Sequence, residues 1–174
     1  MTAETACSAG MYSEHAGAVA CMPCGLGQFQ SRRGSSSCDA CLAGKHCNAT
    51  GLSSPSGSCA AGSYSAGGAM VSSCEPCPAG KHCNSSGLAQ PSGVCSAGTF
   101  SGGGANSSHC TPCLAGRHCN SSGLAAPSGV CAAGTFSVAG ASASGCNPCP
   151  PGAYCSIGCS SLIGSGLCVA GSYS

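Results

Sequence analysis

Tryptophan is absent from this chain of 174 residues, and Phe and Tyr contribute only three and four residues. With Leu and Ile also scarce, the large side chains that normally fill a core are too few to build one of this length. Charge is equally thin: five Lys or Arg, four Asp or Glu, and a formal net charge of +1. No basic patch exists, which argues against nucleic acid as a partner. The acidic residues Glu4, Glu14, Asp39 and Glu75 are scattered. No carboxylate pair, no nucleophile beside a base and no phosphate loop emerges, so the chain is not expected to be an enzyme. Apolar runs are a few residues long, too short for a membrane-spanning segment. Residues 1–6 lack the apolar stretch of a secretion signal. In a chain this rich in cysteine, that points to a mature fragment or an excerpt of a longer precursor.

What is abundant is small: 20 Cys and 29 Gly. The 43% hydrophobic content is mostly Ala and Cys, and burying an Ala methyl contributes far less than burying Leu or Phe. Ordering the backbone costs about 1–2 kcal/mol per residue, so another source of stability is required. A disulfide closing a loop of about 15 residues contributes roughly 3 kcal/mol in the chain-entropy account. Cysteine at this density reads as a disulfide scaffold of the secreted class. Its sparse charge is a solubility risk that covalent sugars would remove.

The cysteines are periodic. Residues 77–112 and 113–148 are close copies, with a period of 36. A finer motif, C-x-x-G-x-(Tyr, Phe or His), begins at Cys7, Cys24, Cys41, Cys59, Cys77, Cys95, Cys113, Cys131, Cys149 and Cys168, in steps of 17 to 19. Every Phe and Tyr stands at its sixth position: Tyr12, Phe29, Tyr64, Phe100, Phe136, Tyr154 and Tyr173. His46, His82 and His118 fill the remaining three. The fourth-position Gly is expected to take positive φ or to allow a close backbone approach. The organisation expected is two short units in 1–40, repeats in 41–76, 77–112 and 113–148, and a divergent, incomplete repeat in 149–174.

Two unit types follow from the second cysteine. In type A it lies 14 or 15 residues on, giving candidate pairs Cys7–Cys21, Cys24–Cys38, Cys59–Cys74, Cys95–Cys110 and Cys131–Cys146. In type B it lies six residues on: Cys41–Cys47, Cys77–Cys83, Cys113–Cys119 and Cys149–Cys155. Two type A units occur in succession at the start, which favours pairing inside units. An alternative joins Cys47 to Cys59 and Cys41 to Cys74, and so on down the chain; spacing alone does not decide connectivity. Cys159 has no counterpart in earlier units. Cys159–Cys168 is the expected last pair, unless Cys168 pairs with a cysteine elsewhere. Short strands or hairpins are expected around each ring, as at 99–101, with loops elsewhere and no helix. The fold class expected is a small disulfide-rich repeat array, an elongated rod whose units contact only their neighbours.

Few residues are candidates for chemistry. Sequons place N-linked glycans at Asn48, Asn84, Asn106 and Asn120, while Ser156 stands where the last type B unit would carry its Asn. Cys21, Cys24, Cys38 and Cys41 have spacing close to that of a zinc ribbon, but the even count per unit and the sequons favour oxidation to disulfides, so no metal and no cofactor is expected. His46, His82 and His118 read as occupants of the aromatic slot rather than as ligands. Arg32 and Arg33 are the only residues that stand out as a recognition surface.

The stretch CSAGTFSGGGANSSHCTPC resembles the cysteine-rich ephrin-receptor-like repeat, whose pattern is C-P-x-G-T-Y-S, a Ser/Gly stretch and C-x-x-C. The resemblance runs from Cys7 to Ser174, and the units are also similar to the first loop of tumour-necrosis-factor-receptor modules. It implies the pairs Cys59–Cys74, Cys95–Cys110 and Cys131–Cys146 and an extracellular setting. The type B units depart from the pattern. The function expected is an extracellular structural glycoprotein segment, a rod, coat or fibril whose chains self-associate. The alternatives are a ligand-binding receptor ectodomain and a zinc-binding protein.

Overall fold

A computed structural model describes residues 6–15, 20–72, 74–141 and 145–168. Every regular element among them is a strand of two residues, and all are paired antiparallel in two-stranded hairpins. Each unit from Cys7 to Cys149 builds one hairpin from its fifth and sixth motif positions and the two residues before the next opening cysteine. In the Cys95 unit, Thr99–Phe100 pairs with Thr111–Pro112; in the Cys41 unit, Lys45–His46 pairs with Gly57–Ser58. The expected strand at 99–101 is therefore one residue shorter. A hairpin of this size is not stable alone in water, so the staple beside it is essential.

Nine disulfides supply the staples, and all lie within units. Cys41 joins Cys47 and Cys59 joins Cys74, so the alternative crossing between units is not formed. The cysteines are also the core: among buried apolar residues described, only Phe136 and Ala153 are not cysteine. Sulfur takes the place that large aliphatic side chains hold in ordinary domains.

The expected Cys159–Cys168 pair is not formed, and both thiols are free. Cys159 is buried beside Phe136, Cys155 and Cys149. Its carbonyl accepts the Ser137 N–H (3.1 Å), as those of Leu88 and Leu124 accept Ser65 and Ser101 (3.0 Å each). Cys159 therefore does have counterparts: it occupies the position that Leu52, Leu88 and Leu124 hold in the other type B units, as an apolar filler. Cys168 stands instead at an opening position, its N–H bonded to the Gly152 carbonyl at 2.9 Å.

Backbone hydrogen bonds join successive units by a repeated rule. Each opening cysteine donates its N–H to the previous motif glycine, as Cys59 does to Gly44 (2.9 Å) and Cys113 to Gly98 (2.8 Å). Each motif glycine from Gly10 to Gly134 donates forward to the residue after the next ring, as Gly62 does to Cys83 (2.8 Å) and Gly116 to Ser137 (2.9 Å). A loop glycine then donates back to the opening cysteine of the unit before, as Gly87 does to Cys59 (2.8 Å) and Gly140 to Cys113 (2.7 Å). These bonds satisfy backbone groups that such short hairpins leave unpaired.

Units also meet their second neighbours, which corrects the expectation of nearest-neighbour contact alone. A Cβ on Gly44 (φ +74°) would collide with the Gly87 carbonyl, and one on Gly80 (φ +74°) with that of Gly123. The motif glycine thus serves both functions expected of it, positive φ and close approach. The chain divides into two compact bodies, Met1–Cys77 with Cys83–Pro91, and Pro78–His82 with Ser92–Ser174. The contacts above lie within one body or the other.

Candidate functional site

The units are uniform, so a site must be sought where one departs from the rest. The four cysteines of zinc-ribbon spacing are divided among three disulfides, Cys7–Cys21, Cys24–Cys38 and Cys41–Cys47. Among the described residues no group of three or more His, Cys, Asp or Glu is placed to hold a metal ion.

The slot histidines lie over glycine. His46 faces Gly57 across its hairpin, where a Cβ would stand 2.9 Å from the ring Nε2; His82 faces Gly93 in the same way, at 3.0 Å. Tyr154 lies over Gly166 in the last type B unit, a Cβ there falling 2.8 Å from its ring. Nδ1 of His46 and of His82 is buried without a hydrogen-bond partner, and His118 Nδ1 stands 3.8 Å from the Cys146 sulfur. The rings pack as Tyr154 does. The Gly two residues before each following cysteine is the signal that sequence reasoning passed over.

All four sequon asparagines, Asn48, Asn84, Asn106 and Asn120, are exposed. Asn120 sits in a turn closed by Ser128, whose hydroxyl donates to Asn120 Oδ1 (2.6 Å) and accepts the Asn120 N–H (3.2 Å). Ser56 Oγ accepts the Asn48 N–H in the same way, at 3.3 Å. Ser156 keeps the turn, its N–H bonded to Ser165 Oγ at 2.9 Å. Ser56 and Ser128, each preceded by a proline, are thus turn residues. N-glycosylation occurs at Nδ2, and the Ser128 bond uses Oδ1, so the turn is compatible with a sugar.

Two type A loops are individual. In the Cys59 unit, Tyr64 faces Glu75 across the hairpin and lines a shallow hollow of about 260 Å³ with Met70 and Val71. The hydrogen bond from the Tyr64 phenol to the Glu75 carboxylate, with smaller contributions from burial and the carboxylate charge, raises the phenol above its usual 10.0. In the Cys24 unit, Gln30 is buried under the loop that carries exposed Arg32 and Arg33. Sequence reasoning singled out the arginines but missed the glutamine.

This is the architecture of an extracellular-type disulfide-rich repeat domain, and its cysteine density suggests a secreted or cell-surface location. Residues 10–57 match the family described as tyrosine-protein kinase ephrin type A/B receptor-like. The match and the disulfide-paired repeats together support an ephrin-receptor-like cysteine-rich repeat protein. No curated protein matches the chain. Among the described residues no helix is long and apolar enough to cross a membrane.

Proposed function

We propose that the chain is a non-catalytic structural segment of an extracellular glycoprotein, a rod or coat element that self-associates through the surfaces its units use on one another. The observation that carries this reading is the repeated hydrogen-bond rule between units, exemplified by Cys59 to Gly44 and Gly62 to Cys83. Main-chain bonding is indifferent to most side chains, so units of differing sequence stack alike and propagate. Glycans on Asn48, Asn84, Asn106 and Asn120 cover a surface that has little charge of its own. The zinc alternative loses its ligands to the disulfides named above.

The test is small-angle scattering and negative-stain imaging of the secreted, oxidised protein, with intact mass before and after enzymatic deglycosylation. Extended particles that lengthen with concentration, and sugar mass that falls stepwise in Asn48→Gln, Asn84→Gln and Asn120→Gln, support the proposal. Compact monomers at every concentration, without sugar mass, defeat it.

A further inference from the structure

Position seven of the motif anchors the type A loop in the Cys59 and Cys95 units: Ser65 Oγ accepts the Gly67 N–H and Ser101 Oγ the Gly103 N–H, each at 3.1 Å, whereas Ser13 Oγ donates to the His15 carbonyl (3.1 Å) and Ser137 Oγ to the Arg117 carbonyl (2.7 Å). In the Cys24 unit this position is Gln30, only 4% exposed. Its Oε1 accepts the Arg32 N–H at 3.0 Å, repeating the serine bond. Its Nε2 crosses the loop and donates to the Ser37 carbonyl (2.9 Å) and to Asp39 Oδ2 (3.3 Å). Buried and bonded at both ends, the amide ties the two limbs of the loop together.

Two further bonds pin the loop tip to the unit before. Gly34 N–H donates to the Cys7 carbonyl at 2.8 Å, and the Ser35 carbonyl accepts the Ser13 N–H at 3.1 Å. On this frame stand Arg32 and Arg33, both exposed, the only adjacent pair of Lys or Arg residues in the sequence. Asp39, the acidic residue of the same hairpin, is turned to Gln30. A fixed loop loses little entropy when it binds, and guanidinium groups pair with carboxylates in bidentate geometry.

We propose that the Gln30-braced loop is a recognition site that presents Arg32 and Arg33 to paired carboxylates on an acidic segment of a partner protein. Two arginines form a short, local charge pattern, which fits a pair of Asp or Glu side chains better than a long sulfated polysaccharide that needs a row of cations. The braced loop also resists the extended conformation that proteolysis at an Arg-Arg pair requires. The loop's backbone takes part in the bonds that join units, but the proposal needs only the exposed side chains of Arg32 and Arg33 and stands whether or not chains self-associate.

The test is fluorescence anisotropy of a labelled octapeptide of alternating Asp and Glu against the oxidised protein at low salt, with heparin and limited trypsin digestion in parallel. Replacing Arg32→Gln and Arg33→Gln together is expected to weaken peptide binding about tenfold. Gln30→Ala, which keeps both arginines, is expected to weaken it about threefold and to speed cleavage between them. Intact mass showing nine bridges in each variant controls for folding. Three results would each overturn the proposal: equal peptide affinity with and without the arginines, binding of heparin but not peptide, or cleavage of the native loop as fast as of the reduced chain.

Discussion

Gly44 and Gly87, 43 residues apart in sequence, meet backbone to backbone. A Cβ on Gly44 would overlap the Gly87 carbonyl, while the same addition at Gly152 (φ +77°) meets nothing within 4 Å among the described residues. One motif position thus has two environments, and the pair separates backbone strain from steric contact.

Gly152→Ala is expected to cost only the strain of a left-handed residue, about 1–2 kcal/mol. Gly44→Ala adds displacement of a neighbouring unit and is expected to cost about 3–4 kcal/mol. Denaturant unfolding of the oxidised protein, with hydrogen exchange at the Cys59 amide, measures both. Equal costs at the two sites would mean that the second-neighbour contact contributes nothing.

The slot histidines are exchangeable with tyrosine if packing is their role. His82→Tyr is expected to stay within about 1 kcal/mol of the native protein, because Tyr154 already lies over Gly166. Gly93→Val, which puts a branched side chain under the His82 ring, is expected to cost about 1–3 kcal/mol. Thermal unfolding distinguishes the two.

Tyr64 provides a pH signature. Its folded-state value is raised above 10.0 by Glu75. The contact therefore adds stability below pH 10, and that contribution disappears as pH rises through the folded-state value. Glu75→Gln removes the negative charge and weakens the acceptor, so Tyr64 should titrate closer to 10. NMR titration of selectively labelled tyrosine follows the Tyr64 resonance directly, and an unchanged value in the variant would contradict the assignment.

Cys159 should behave as a buried apolar residue. Cys159→Leu restores the side chain of Leu124 and is expected to change stability by less than about 1.5 kcal/mol. Cys159→Asp places a charge in that slot and is expected to destabilise strongly, by about 3 kcal/mol or more. Alkylation of the native protein should modify Cys168 well before Cys159.

The hairpins and staples were legible in the sequence because cysteine spacing and ring position are local and recur every 17 to 19 residues. Cys159 was misread because its unit moves residues across the loop: Gly158 and Cys159 fill the places of Gly123 and Leu124 only when matched by hydrogen bonds, not by count from the opening cysteine. The meeting of Gly44 with Gly87 leaves no mark in either unit, since a glycine required for positive φ and one required for contact are the same letter. The Gln30 brace was hidden for a related reason: a glutamine in a Ser-rich loop looks solvent-exposed until its partners, Ser37 and Asp39, are seen across the loop.

Disulfide mapping is the sharpest check that each unit from Cys7 to Cys149 is closed by its own cysteines. The protein is digested without reduction, after its free thiols are blocked under denaturing conditions, and linked peptides are identified by mass. Nine links are expected, each within a unit, with Cys41 joined to Cys47 and Cys59 to Cys74, and with alkylated Cys159 and Cys168. Peptides linking Cys47 to Cys59, Cys41 to Cys74, or Cys159 to Cys168 would contradict this pairing.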